Sequence, residues 1–95
     1  MQAEIYTKDM CSYCVKAKHL LRELGIPYAE YILSSGFGEL APAPNQRYVT
    51  KDMLLERQPN AKTVPQIWIN GEYIGGYTEL AAAVANGSLP QDPSV

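Results

Sequence analysis

The chain has 95 residues, 46% of them hydrophobic, and a formal net charge of −2. That is one domain, large enough to bury a modest core without a metal or disulfide staple. The charge excludes nucleic acid or an anionic membrane as a bulk partner, and no apolar run approaches the roughly 18 residues of a membrane span.

Ala3-Glu4-Ile5-Tyr6-Thr7 is short and β-prone and predicts a first strand. From Cys11 to Leu24 the apolar residues Cys14, Ala17, Leu20, Leu21 and Leu24 recur at helical spacing, with Lys16, Lys18, Arg22 and Glu23 on the other face and Gly25 as the stop. His19 is expected on the exposed side of this helix. After Pro27, Tyr28 to Leu33 alternates as a second strand, and the strand–helix–strand run suggests a parallel βαβ unit. Ser34 to Val49 reads as a long loop, its period broken by Gly36, Gly38, Pro42 and Pro44.

Thr50 is expected to cap a helix that runs to Arg57 and ends before Pro59. Gln66–Ile69 and Glu72–Ile74 flank Asn70-Gly71, a strong hairpin signal. Thr78 is placed as the cap of a last helix through Asn86, with Gly87 past its end, and residues 88–95 are expected to form a loose tail. The order βαβ-α-ββ-α predicts a central four-stranded mixed sheet covered by helices, all within one domain, 1–95. The core is expected to include Leu20, Leu21, Leu24, Ile67, Trp68 and Ile69.

Cys11-Ser12-Tyr13-Cys14 holds the only two cysteines, just after the first strand and at a helix start. Unpaired N–H groups there carry partial positive charge, so a thiolate is stabilised, with a pKa in the range of roughly 3.5–7.5 seen at such sites. The pair reads as a redox couple: Cys11 as nucleophile, and Cys14, one turn further in and less exposed, as the resolving thiol or simply a small buried residue. The N-terminus has no basic region followed by a long apolar one, so no signal peptide is expected and the cytoplasm is the default compartment. There, a close cysteine pair is catalytic or metal-binding more often than structural.

Three further sites join the pair: Tyr6-Thr7-Lys8, Thr63-Val64-Pro65-Gln66 and Gly75-Gly76-Tyr77-Thr78-Glu79. Together, in this order and at these separations, they resemble the glutaredoxins. The resemblance implies a thioredoxin-like α/β fold and glutathione-dependent reduction of protein–glutathione mixed disulfides and protein disulfides. It further implies a monomer that uses glutathione as co-substrate, with NADPH and glutathione reductase as the electron source and ribonucleotide reductase as a plausible client.

Carried onto this chain, the resemblance makes Cys11 and Cys14 catalytic and gives glutathione the contacts Lys8, Tyr13, Thr63, Val64, Pro65, Tyr77, Thr78 and Glu79. Lys8 would face the glycine carboxylate, and Thr78 and Glu79 the γ-glutamyl end. Tyr13 would flank the ligand, and Tyr77 is either a pocket wall or core. Pro65 is expected to be cis, a state found in only about one X–Pro bond in twenty, turning the Val64 backbone toward the ligand. Glutamate at 79 departs from the usual aspartate. Ser12 departs from the proline common in the family and leaves the redox poise open, within a family range of roughly −200 to −230 mV.

No bound metal is expected. Relatives with a small residue at the position of Ser12 sometimes hold an iron–sulfur cluster between two subunits and two glutathiones, which keeps a cluster carrier as one alternative. A redoxin recharged by thioredoxin reductase is another. The long segment 34–49 leaves open which of Arg47, Lys51 or Arg57 helps hold the glycine carboxylate.

Overall fold

The computed structural model describes residues 1–36 and 39–90. The elements are β1 (Ala3–Thr7), α1 (Ser12–Glu23), β2 (Tyr28–Leu33), β3 (Gln46–Val49), α2 (Lys51–Arg57), β4 (Gln66–Ile69), β5 (Glu72–Gly75) and α3 (Tyr77–Asn86). Gly38 and residues 91–95 of the expected tail lie outside the described residues. Leu89 packs against the core. Among the described residues no helix is long and apolar enough to cross a membrane.

The strands form one mixed sheet in the order β3-β2-β1-β4-β5. β1 pairs parallel with β2, from Ala3 opposite Tyr28 to Thr7 opposite Ile32, and antiparallel with β4. The sheet therefore has five strands, not the expected four. The added strand, β3, lies at the end of the segment expected to be a loop, parallel to β2 from Glu30–Gln46 to Leu33–Val49. Nothing local in Gln46-Arg47-Tyr48-Val49 demands a strand. What makes it one is the otherwise open edge of β2, whose Glu30 N–H bonds Asn45 O at 2.8 Å and whose end is tied by Ser34 N–H to Val49 O at 2.9 Å.

Alternation along β1 and β4 divides the core between the two faces of the sheet. Ala3, Ile5, Ile67 and Ile69 point to one face, under Ala17 and Leu21 of α1 and Leu80 of α3. Tyr6 and Trp68 point to the other, with Val49 and Leu54 of α2. Leu20 packs at the margin of the first cluster, but Leu24 does not join the core. It is the C-cap residue of α1, where the chain leaves the helix through Gly25 at φ 71°, and its side chain is exposed.

Thr50 caps α2 as expected, its hydroxyl accepting the Met53 N–H at 3.3 Å. Asn70 and Gly71 both take positive φ, 53° and 81°, as a two-residue hairpin turn of this kind requires.

Candidate active site

The turn Lys8–Met10 carries the chain from the end of β1 into α1. Met10 sits at φ 57° with its side chain fully exposed. Cys11 is the N-cap of α1 in extended conformation, and its sulfur accepts the Cys14 N–H at 3.2 Å. No acidic residue occupies the first turn of the helix. A thiolate at this position would therefore have a backbone donor aimed at it and the positive end of the helix behind it.

Cys11 and Cys14 are joined in a disulfide, with Cα atoms 5.2 Å apart. Cys11 is partly exposed, whereas Cys14 is 2% exposed, on the buried side of α1 with Ala17 and Leu21. Only the first sulfur is open to attack from outside, so an incoming thiolate meets Cys11 and Cys14 is the group released.

The Val64–Pro65 peptide is cis, as the sequence led us to expect. Val64 O lies 3.7 Å from Cys11 Sγ; a disulfide sulfur has no hydrogen to give, so in the oxidised form this is a close approach between acceptors. It places the Val64 backbone directly beside the reactive atom.

A cleft of about 170 Å³ is lined by Tyr13, Thr63, Pro65, Gly76, Tyr77, Thr78 and Glu79. Tyr13 stands 56% exposed, its ring centroid 6.1 Å from that of Tyr77 and the Lys16 ammonium 5.2 Å from its own. Tyr77 is both a wall of this cleft and a margin of the core. Lys8 and Val64 line a neighbouring cleft of about 180 Å³, which Thr63 shares. The residues expected from the sequence thus gather on either side of the 63–65 segment.

Thr78 is not the cap of α3. The cap lies two residues earlier, at Gly76, so the helix begins at Tyr77, and Glu79 Oε1 accepts the Gly76 N–H at 2.7 Å. Gly75, at φ 120°, admits this arrangement because a Cβ there would lie 2.8 Å from Glu79 Cγ and 2.9 Å from its Oε1.

The basic residue left open in the α2 region is partly settled. Arg57 is committed elsewhere, forked onto Glu4 at 2.7 and 2.9 Å and lying 4.1 Å over the Trp68 ring. Its hydrogen bonds hold the Glu4 carboxyl below the ordinary carboxylate range, against the opposing effect of burial.

One group beside the site escaped the sequence reading. Glu30 is 4% exposed and binds Thr7 Oγ1 at 2.7 Å, Lys18 Nζ at 3.0 Å and Gln46 Nε2 at 3.0 Å. Burial pushes its carboxyl up, but the donors from Gln46, Thr7 and Lys18 together bring it below the usual range. With both cysteines it lines a third cleft, of about 510 Å³, on the β3 side of α1. The available signal was a charge on the face of β2 shared with Tyr28 and Ile32. Lys18, assigned to the polar face of the helix, in fact turns inward to meet it. Among the described residues no three His, Cys, Asp or Glu side chains gather into a metal-ligating group.

A family model described as Glutaredoxin matches residues 3–74. Glutaredoxin from Pseudomonas aeruginosa is 36% identical over 85 residues, covering 90% of this chain and 87% of that protein. Among solved structures, glutaredoxin 1 from Francisella tularensis complexed with cacodylate superposes with a TM-score of 0.64 at 32% identity, covering 90% of this chain and 93% of that one. A buckwheat glutaredoxin–glutathione complex shares the fold with a TM-score of 0.60 at 23% identity, covering 92% and 71% respectively. A partly exposed N-cap cysteine bonded to a buried one, on a thioredoxin-like sheet and in a sequence matched over this span, leads to one conclusion: the chain belongs to the glutaredoxin family of thiol–disulfide oxidoreductases.

Proposed function

We propose that this oxidoreductase uses glutathione to reduce protein–glutathione mixed disulfides and protein disulfides. The observation that carries this reading is the convergence of Tyr13, Thr63, Tyr77, Thr78 and Glu79 on one cleft beside Cys11. The cleft is walled by the Tyr13 and Tyr77 rings, bordered by Thr63 and Pro65 on either side of Val64, and lined at the start of α3 by Gly76, Thr78 and Glu79. An extended tripeptide laid along Val64 puts its central sulfur at Cys11. Its γ-glutamyl carboxylate then meets the first N–H groups of α3, and its ammonium meets Glu79. Lys8 serves the glycine carboxylate.

In the reaction, the Cys11 thiolate attacks the glutathione sulfur of a mixed disulfide. A Cys11–glutathione disulfide forms and the protein departs as a thiolate, which takes a proton from water. A second glutathione thiolate then attacks the bound glutathione sulfur, releasing glutathione disulfide and the Cys11 thiolate. With a protein disulfide, Cys11 first captures one client sulfur. Cys14 then loses its proton and attacks Cys11, which yields the Cys11–Cys14 disulfide and frees the reduced client. Two glutathiones restore the dithiol, and NADPH with glutathione reductase recycles the glutathione disulfide.

The test is turnover of a small glutathione mixed disulfide with glutathione, NADPH and glutathione reductase. Wild type should turn over, Cys11→Ser should not, and Cys14→Ser should retain activity on the mixed disulfide. Reduction by thioredoxin reductase but not by glutathione would overturn this reading.

A further inference from the structure

We propose that Glu30 and Lys18 are positioning residues that set the redox poise of the Cys11–Cys14 couple from the β3 side of α1. Both line the cleft of about 510 Å³ that the two cysteines also line. This rests on the resolving role proposed above for Cys14, and not on glutathione binding.

Helix geometry brings a charge to the sulfurs. Cys14 and Lys18 are four residues apart on α1, so their side chains share one face, with about 5–6 Å between Cβ atoms. That face is the covered one: Cys14 is 2% exposed and the Lys18 side chain 22%. Lys18 thus carries its ammonium inward to Glu30 Oε2 at 3.0 Å. An ammonium here stabilises a neighbouring thiolate, and a carboxylate opposes it. While both are present their effects nearly cancel. Lys8 and Asp9, the other charged residues lining the cleft, are opposite in sign and exposed on the turn, where solvent screens them.

A buried ion pair adds little to stability, because desolvation offsets the attraction. What this one has is a fixed place. Glu30 Oε2 accepts from Thr7 Oγ1 at 2.7 Å and from Lys18, and Oε1 accepts from Gln46 Nε2 at 3.0 Å. The donors come from β1, α1 and β3, so even the strand that ends the long segment 34–49 helps to hold the charge beside the cysteines. In the resolving step Cys14 gives its proton to solvent and its thiolate attacks Cys11 Sγ. The Cys11–Cys14 bond forms, the bond from Cys11 to the client breaks, and the client sulfur leaves as a thiolate. Lys18 favours the attacking thiolate. Glu30 limits that favour, so the dithiol is not trapped in its reduced form.

Two measurements, both without glutathione, read the effect. The equilibrium of the couple is taken at neutral pH against mixtures of dihydrolipoate and lipoate. The resolving step is taken from single turnovers in which Cys11 carries an aryl thiol and Cys14 releases the coloured aryl thiolate, followed across pH. Glu30→Gln leaves Lys18 uncompensated, so the reduced form should gain about tenfold, roughly 30 mV less negative for a two-electron couple. The half-point of the resolving rate should fall by about one pH unit. Lys18→Met leaves Glu30 uncompensated, still held ionised by Thr7 and Gln46, and both readings should move the other way by similar amounts. Lys18→Met/Glu30→Gln carries neither charge and should return to within about twofold of wild type.

Opposed shifts that cancel in the double variant are what a charge effect gives and a packing defect does not. Shifts of both single variants in one direction, or no shift in either, would overturn the proposal. So would a doubly neutral protein that stays shifted, since the effect would then come from altered packing. Should Lys18→Met fail to fold, Glu30→Gln against the doubly neutral protein decides alone: the first must shift and the second must not. No aryl thiolate release from wild type would overturn the resolving role of Cys14, while the equilibrium measurement still decides on the two charges.

Discussion

The Glu79 carboxylate turns back over the start of α3 and accepts the Gly76 N–H at 2.7 Å through Oε1, while Oε2 takes no hydrogen bond among the described residues. One oxygen holds the helix start while the other is available to a cation. A single side chain therefore serves folding and, on our reading, ligand binding.

The two roles separate by substitution. Glu79→Gln keeps an acceptor for Gly76 but loses the charge, so the thermal midpoint should barely move while KM for glutathione rises about tenfold, the worth of one charge-assisted contact. Glu79→Ala should lose both, with a further cost of about 1 kcal/mol in stability. An unchanged KM in Glu79→Gln would remove the residue from the binding site.

Neighbouring glycines should respond differently. A methyl at Gly75 would meet Glu79 carbons at 2.8 and 2.9 Å on a backbone already at φ 120°, whereas at Gly76 the nearest atoms are at 3.3 Å. Gly75→Ala should cost about 1–3 kcal/mol and displace Glu79. Gly76→Ala should be milder. Urea unfolding of the pair decides it, and equal losses would contradict the geometry.

Arg57→Lys should destabilise without touching catalysis. An ammonium cannot reproduce the fork onto Glu4 or the stacking over Trp68. A loss of about 1–3 kcal/mol is expected, with KM for glutathione unchanged. A marked rise in KM would mean that Arg57 leaves Glu4 when the ligand arrives.

Acid should weaken the fold through Glu30 and Glu4. Both carboxyls are held below their ordinary range in the folded protein. Their contribution is complete above the unfolded value near 4.3 and is lost as pH falls through the lower folded-state values. The urea midpoint should hold from neutrality to about pH 5 and then drop toward about pH 3. Glu30→Gln should flatten that drop, and an equally steep one would exclude Glu30 as a source.

Elements whose signal is local were legible in the sequence. β1 and β2 follow from alternation, α1 from its apolar stripe and Gly25, and the hairpin from Asn70-Gly71, where only a few backbone shapes are open. β3 was not legible, because four residues after a Pro- and Gly-broken stretch become a strand only through the distant edge of β2. The same non-locality hid Glu30, whose donors come from β1, α1 and β3. Thr78 was assigned as the cap because threonine is a good one; a carboxylate three residues past Gly76 took the N–H instead. The cysteine pair was legible throughout, since its chemistry is set by its place at a helix start.

Both outermost strands, β3 and β5, are four residues long, and each carries an exposed charge, Arg47 on one and Glu72 on the other. A sheet can recruit further chains only through its unpaired borders. Here each border offers little more than one short run of amides, interrupted by like charges when copies align in register. The molecule should therefore resist stacking into fibrils even at high concentration.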